Sequence, residues 1–189
     1  MKNLPKFLAG FFVVILGFFP SASVAEESVD DPGEGVGIDS GAELPGEEEL
    51  KKMIFSYPGE WVEGVPLFDA EAAYEDGVDW NVIEVGQAYN EMIELQAGTS
   101  EGAGFRDLNP TNYGNWCGKN NSGPGWPINS LDQACKNHDI CLSQGGATCD
   151  CDHNFVSSLR IIRGQYSGWA RAYLEAAIIA VPAWHGCRV

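Results

Sequence analysis

One imidazole and one carboxylate stand side by side between two cysteines in the string Asp132, Gln133, Ala134, Cys135, Lys136, Asn137, His138, Asp139, Ile140, Cys141. Two further carboxylates follow in Cys149, Asp150, Cys151, Asp152, and a turn-rich stretch from Tyr113 precedes both strings. A neutral imidazole can take a proton from water, and a buried carboxylate can orient it and balance the charge that forms. A carboxylate beside several backbone carbonyls makes a set of hard oxygens that suits calcium, not zinc. These residue types can therefore support general-base hydrolysis next to a hard cation.

Two helices must position them. Asn129 is a plausible N-cap with Asp132 at the third helical position in a capping-box arrangement, so a helix should run from about Ser130 to Gln144 and stop at Gly145 and Gly146. Its inward stripe is Leu131, Cys135, His138 and Leu142. A second helix should begin near Asp150 and run to Arg163, with Phe155, Val156, Leu159 and Ile162 facing the core and Asp152 on that same face. An unpaired buried carboxylate is costly, so Asp152 is expected to accept a hydrogen bond from His138. A Cys141 to Cys151 disulfide tying the helices antiparallel would place His138 ~4.5 Å and Asp152 ~1.5 Å from the staple in one direction, with Asp150 displaced the other way. Asp139 points ~100° away from His138, toward the loop at Trp116 to Asn120 and its carbonyls. A Cys117 to Cys135 disulfide would hold that loop against the helix, leaving Cys149 and Cys187 to each other. Six cysteines allow 15 pairings, and spacing alone leaves the choice open.

The rest of the chain sets the context. Lys2 and Lys6, an apolar run from Phe7 to Phe19, and Ser23, Val24, Ala25 read as a secretory signal peptide over residues 1–25. Export to an extracellular or periplasmic space favours disulfides. Zinc on Cys141, Cys149, Cys151 and His153 is therefore disfavoured. Residues 26–50 hold ten acids and no Lys or Arg, the composition of a disordered linker or propeptide. With a formal charge of -16 for the whole chain, binding to nucleic acid is excluded as a main role, since phosphate neutralisation needs a basic face. Residues 51–105 form an extension expected to pack on a domain at 106–189. Within it, 53–68 look like an irregular wrap or short strands, Asp69 caps a short helix through Tyr74, and a helix runs from about Trp80 to Gln96 with Gly98 to end it. A last helix should span about Gly168 to Val181 and end at Pro182. His153 and His185 lack any catalytic frame and read as structural or surface residues.

The string Tyr113, Gly114, Asn115, Trp116, Cys117, Gly118, the pattern D-x-x-C-x-x-H-D-x-C over Asp132 to Cys141, and C-x-C-D over Cys149 to Asp152 together resemble the calcium loop and catalytic helices of secreted phospholipase A2. The likeness covers Tyr113 to Phe155. It implies a mainly α fold, with a disulfide-stapled antiparallel helix pair and a calcium-binding loop, here joined to an extra N-terminal segment. It implies His138 as general base, Asp152 as its orienting partner, and Ca2+ held by Asp139 with carbonyls of Trp116, Gly118 and Asn120. It also implies disulfides 117 to 135 and 141 to 151. The activity implied is hydrolysis of the sn-2 ester of glycerophospholipids by a monomer at a phospholipid membrane interface or on micelles.

Several positions depart from the family's pattern. Asn120 stands where the loop has glycine. Leu142 replaces the tyrosine that supports the aspartate, a role Tyr166 or Tyr173 could take. Only seven residues separate Cys141 from Cys149, so the family's β-hairpin between the helices is missing. These departures and the unmatched residues 51–105 motivate two other readings: a non-catalytic calcium or lipid binding module on the same scaffold, and an enzyme acting on another ester. Trp116 and Trp126 either dip into a lipid interface or pack beneath the N-terminal segment.

Overall fold

A computed structural model describes residues 43–98, 113–123 and 125–188. The chain divides into two units, 1–38 and 39–189, and every described residue belongs to the second. The signal peptide and most of the acidic tract lie outside the described residues.

The first element corrects the sequence reading. Helix α1 spans Glu47–Ser56, so the end of the acidic tract folds and does not serve as linker. Leu50 and Ile54, one helical turn apart, are both buried, while Glu47, Glu48 and Glu49 sit in the first turn, where the helix dipole favours acids. Strands β1 (Pro58–Val62) and β2 (Val65–Phe68) follow as an antiparallel hairpin. Its two-residue turn places Glu63 at φ 49° and Gly64 at φ 84°, the left-handed pair that matches strand twist. Helix α2 (Ala70–Glu75) is capped by Asp69, whose carboxylate accepts from the Ala72 amide.

Helix α3 (Trp80–Ala97) begins at Asp79 and ends at Gly98 in the left-handed region. It is bonded to the hairpin edge through Asn90. The Asn90 Oδ1 accepts from the Phe68 amide at 2.6 Å, and its Nδ2 donates to the Phe68 carbonyl at 2.7 Å. Gly86 is required here, because a Cβ would fall inside the Phe68 ring.

Helices α4 (Ser130–Ser143) and α5 (Thr148–Ile162) lie where the sequence places them, α5 starting two residues early and continuing into a 3₁₀ turn at Arg163–Gln165. Helix α6 spans Gly168–His185 and runs through Pro182. The expectation that proline ends it fails because the missing amide costs one bond only. The helix makes another turn and closes at Gly186 (φ 67°), with the Cys187 amide donating to the Pro182 carbonyl at 2.9 Å.

Helix α6 is almost wholly apolar from Ala172 to Ala180 because this stretch is buried on both sides. Ala172, Ala176, Ile179 and Ala180 pack with α1, the hairpin, α2 and α3. Tyr173, Leu174, Ala177 and Ile178 pack with Leu131 and Ala134 of α4 and Phe155, Val156 and Leu159 of α5. The one acid in its middle, Glu175, is buried and paired with Arg163 and with Arg171 at 2.6 Å. Among the described residues no helix is long and apolar enough to cross a membrane. All six cysteines are paired, as Cys117–Cys135, Cys141–Cys151 and Cys149–Cys187, so none is left to bind zinc.

Candidate active site

The site begins at the N-terminus of α4. The Asn129 side chain accepts from the amides of Leu131 and Asp132 and caps the helix as expected. Asp132 does not close a capping box. Its carboxylate is fully buried and turns outward to the upstream loop, accepting from the amides of Asn115 (3.0 and 3.1 Å), Trp116 (2.8 Å) and Ile128 (3.0 Å). Three backbone donors on one carboxylate are a stronger arrangement than a single cap bond, so the loop takes it. Gly114, at φ 62°, lies against the same carboxylate where a Cβ would collide. The loop closes on itself through reciprocal bonds between Tyr113 and Cys117 at 3.1 and 3.2 Å, and Cys117 bonds to Cys135 on α4.

One turn beyond Cys135, the His138 side chain is 11% exposed and its Nε2 lies 2.8 Å from Asp152 Oδ1. Asp152 has no exposed surface. The Phe155 ring stacks on the imidazole at 4.8 Å between centroids and shields this contact from water. A carboxylate only accepts, so the proton of a neutral His138 ring sits on Nε2 and Nδ1 carries the lone pair. Asp150 is exposed at the surface. The choice of Asp152 over Asp150 as the partner thus agrees with the geometry.

The second oxygen of Asp152 has a partner that sequence reasoning missed. Asp152 Oδ2 lies 2.8 Å from Nδ1 of His185, the last residue of α6. Tyr166 and Tyr173, the two residues named as substitutes for the absent tyrosine, are elsewhere. The Tyr166 hydroxyl meets Ser130 and the Leu131 amide, and Tyr173 stacks on Tyr113. The signal for His185 lay in chain connectivity. Cys187, two residues on, is bonded to Cys149, three residues before Asp152. His153, in contrast, is bonded to the Arg188 carbonyl at 2.6 Å.

Asp139 projects away from His138 toward the loop and accepts from Ser122 Oγ at 3.1 Å. Burial raises its carboxyl pKa, against the lowering effects of the Ser122 bond and the nearby His138. Asn120 takes φ 64°, the left-handed conformation that glycine adopts more easily, so the loop keeps its curl despite the substitution. The Gly118 carbonyl accepts from the Asn121 amide at 3.1 Å and retains a second lone pair. Among the described residues no three His, Cys, Asp or Glu side chains gather as a metal cluster. A cation here would rest on one carboxylate and backbone oxygens. That donor set fits a hard ion, and a half-buried carboxylate with a raised pKa is one that a positive charge would relieve.

His138, Asp139, Gly118 and Asn120 open on a cavity of about 260 Å³. Its apolar wall includes Met92 and Leu95 of α3, Leu142 of α4, and Val181 and Trp184 of α6. Lys119 ties the loop to the end of α3, donating to the Gln96 carbonyl at 2.7 Å, where the helix dipole favours a cation. The Lys136 ammonium lies 4.6 Å from the ring centroid of the cavity-lining Trp116 and 5.4 Å from that of Trp126, which is 86% exposed; Ile128 is exposed too.

The chain is 35% identical over 68 residues to a protein described as basic phospholipase A2 3 of Bungarus caeruleus, over 36% of this chain and 44% of that protein. The chain thus spans less than half the length of the curated relative it matches. No family model and no solved structure matches it. The mostly helical fold with three disulfides is compatible with a distant relationship to phospholipases A2.

Proposed function

We propose that the chain is an exported, calcium-dependent phospholipase A2 that hydrolyses the sn-2 ester of glycerophospholipids with water activated by His138. The observation that carries this reading is the 2.8 Å contact between His138 Nε2 and fully buried Asp152. That contact leaves Nδ1 as the base, at the head of an apolar cavity. Nδ1 takes a proton from water as the water oxygen attacks the ester carbonyl, and Asp152 stabilises the imidazolium that results. Collapse of the tetrahedral intermediate returns the proton from Nδ1 to the departing glycerol oxygen. No acyl-enzyme forms. Phe155 keeps bulk water from the His138 and Asp152 pair, and the apolar wall suits an acyl chain.

Asp139, with the carbonyls of Trp116, Gly118 and Asn120, would hold the calcium ion, whose charge would stabilise the developing oxyanion. The exposed Trp126 and Ile128 favour action at a lipid surface, by a monomer in this reading, over action on dissolved substrate. The test is fatty-acid release from phosphatidylcholine vesicles by the exported protein, with calcium and with chelator. Release that requires calcium and disappears in His138→Gln is expected. Calcium-independent release, or equal release by the variant, refutes the proposal.

A further inference from the structure

We infer that His185 is a positioning residue for this reaction: by donating to Asp152 Oδ2 it fixes the carboxylate that in turn fixes the tautomer and plane of His138. This rests on the hydrolase reading above. Asp152 is fully buried, and each of its oxygens has one imidazole nitrogen at 2.8 Å. A buried carboxylate that loses one of two such donors can swing about its side-chain torsion, and the remaining bond then no longer sets the ring orientation. The three rings and the carboxylate form a single stack of constraints, with Phe155 against His138 on one side and His185 closing the other.

Three features hold His185 there. The helix runs on past Pro182 for the one further turn that ends at this residue. A left-handed Gly186 then reverses the chain, and Cys187 is bonded to Cys149 on the first turn of α5. His185 and Asp152 thus sit two and three residues from opposite ends of the same disulfide. The imidazole also lies at the C-terminus of α6, where the helix dipole favours a hydrogen-bond donor. The His185 side chain is 28% exposed and lines the same cavity as His138, and its Nδ1 faces the carboxylate. Leu142 leaves α4 without a hydroxyl to offer Asp152, and α6 supplies the missing donor from the far end of the chain.

The test compares variants in the exported, disulfide-bonded protein. His185→Phe keeps the ring and removes the donor, whereas His185→Asn keeps an N–H close to the Nδ1 position. Two quantities are measured: kcat and KM for vesicle hydrolysis with calcium, and the nitrogen-15 NMR signature of the His138 ring, which reports where its proton sits. Loss of a bond to a buried carboxylate should lower kcat by about 10- to 100-fold in His185→Phe while KM changes by less than about twofold. The fixed Nε2–H form of His138 should be lost in the same variant, and His185→Asn should recover most of both. Wild-type kcat and an unchanged His138 signature in a folded His185→Phe protein would overturn the assignment. If that variant does not fold, His185→Asn is compared with His185→Gln, whose N–H falls nearer Nε2; equal kcat and equal ring signatures in the two would also overturn it. Absence of lipid hydrolysis by the wild type would count against the hydrolase reading alone, because the ring signature still decides the role of His185.

Discussion

The Asp132 carboxylate accepts the Trp116 amide at 2.8 Å and so pins the loop that faces Asp139 to the first turn of the helix that carries it. Asp132→Ala leaves three backbone donors without their acceptor, and the expected loss is about 3 kcal/mol of unfolding free energy. Asp132→Asn, which keeps one acceptor oxygen, should lose roughly half as much. Urea unfolding of the oxidised protein measures both. A loss no larger than that of an exposed-site substitution such as Gln133→Ala would show that the loop holds without the carboxylate.

Asp152→Asn replaces an acceptor-only group with one that can also donate. His138 then has no single preferred tautomer, and part of the population presents a protonated Nδ1 to the cavity. Vesicle hydrolysis should fall by about 10²-fold or more, the scale on which a positioned general base contributes. The three disulfides and the helical circular dichroism should persist. A variant within about twofold of wild type in kcat would remove Asp152 from the mechanism.

Glu91 on α3 makes stability depend on pH. Burial, and secondarily the charge of Glu94, push its carboxyl from 4.5 up to about 7, and its Oε2 has no hydrogen-bond partner among the described residues. Between those two values the folded chain holds a proton that the unfolded chain releases, so this group's contribution to stability falls as pH rises through the window. Glu91→Gln should flatten that dependence and gain about 1 kcal/mol at pH 8, the figure being discounted for the screening of a half-exposed group. At pH 4 the two proteins should be nearly equal. Denaturant midpoints at several pH values decide the point, and parallel curves for the two proteins would refute it.

Trp126, exposed and linked through Lys136 to the cavity-lining Trp116, should contribute to vesicle binding and little to chemistry. Trp126→Ala is expected to weaken partitioning to phosphatidylcholine vesicles by about tenfold, the equivalent of burying one large side chain only in part. Hydrolysis of a short-chain phospholipid dissolved as monomers should hardly change. Equal losses on both substrates would place the indole in the site itself and not at a docking surface.

The residues with a strong local signal were the legible ones. Asn129, Asp69 and Gly98 mark helix ends through chemistry confined to a few neighbouring atoms, and those boundaries are found where the sequence puts them. The placement of His138 against Asp152 follows from helical periodicity plus one disulfide, and is found at 2.8 Å. What failed depended on tertiary partners. Helix α1 reaches into an acidic tract because Leu50 and Ile54 find a core, and Glu47 finds Arg160 at 2.5 Å, far along the chain. Pro182 does not stop α6 because packing around it outweighs one lost bond. His185 is invisible to local reasoning because its partner lies 33 residues away and the two meet only through a disulfide and the end of a helix.

The double burial of α6 has a further consequence. Among the described residues, its Ala172, Ala176, Ile179 and Ala180 edge packs with the elements that precede the loop. A shortened chain starting near residue 113, although it would contain every proposed catalytic and metal-binding group, would present that oily strip to water and aggregate. The half of the molecule that carries the proposed chemistry depends for its solubility on the half that carries none of those groups. A minimal version of this protein cannot be made by trimming the front as far as the loop.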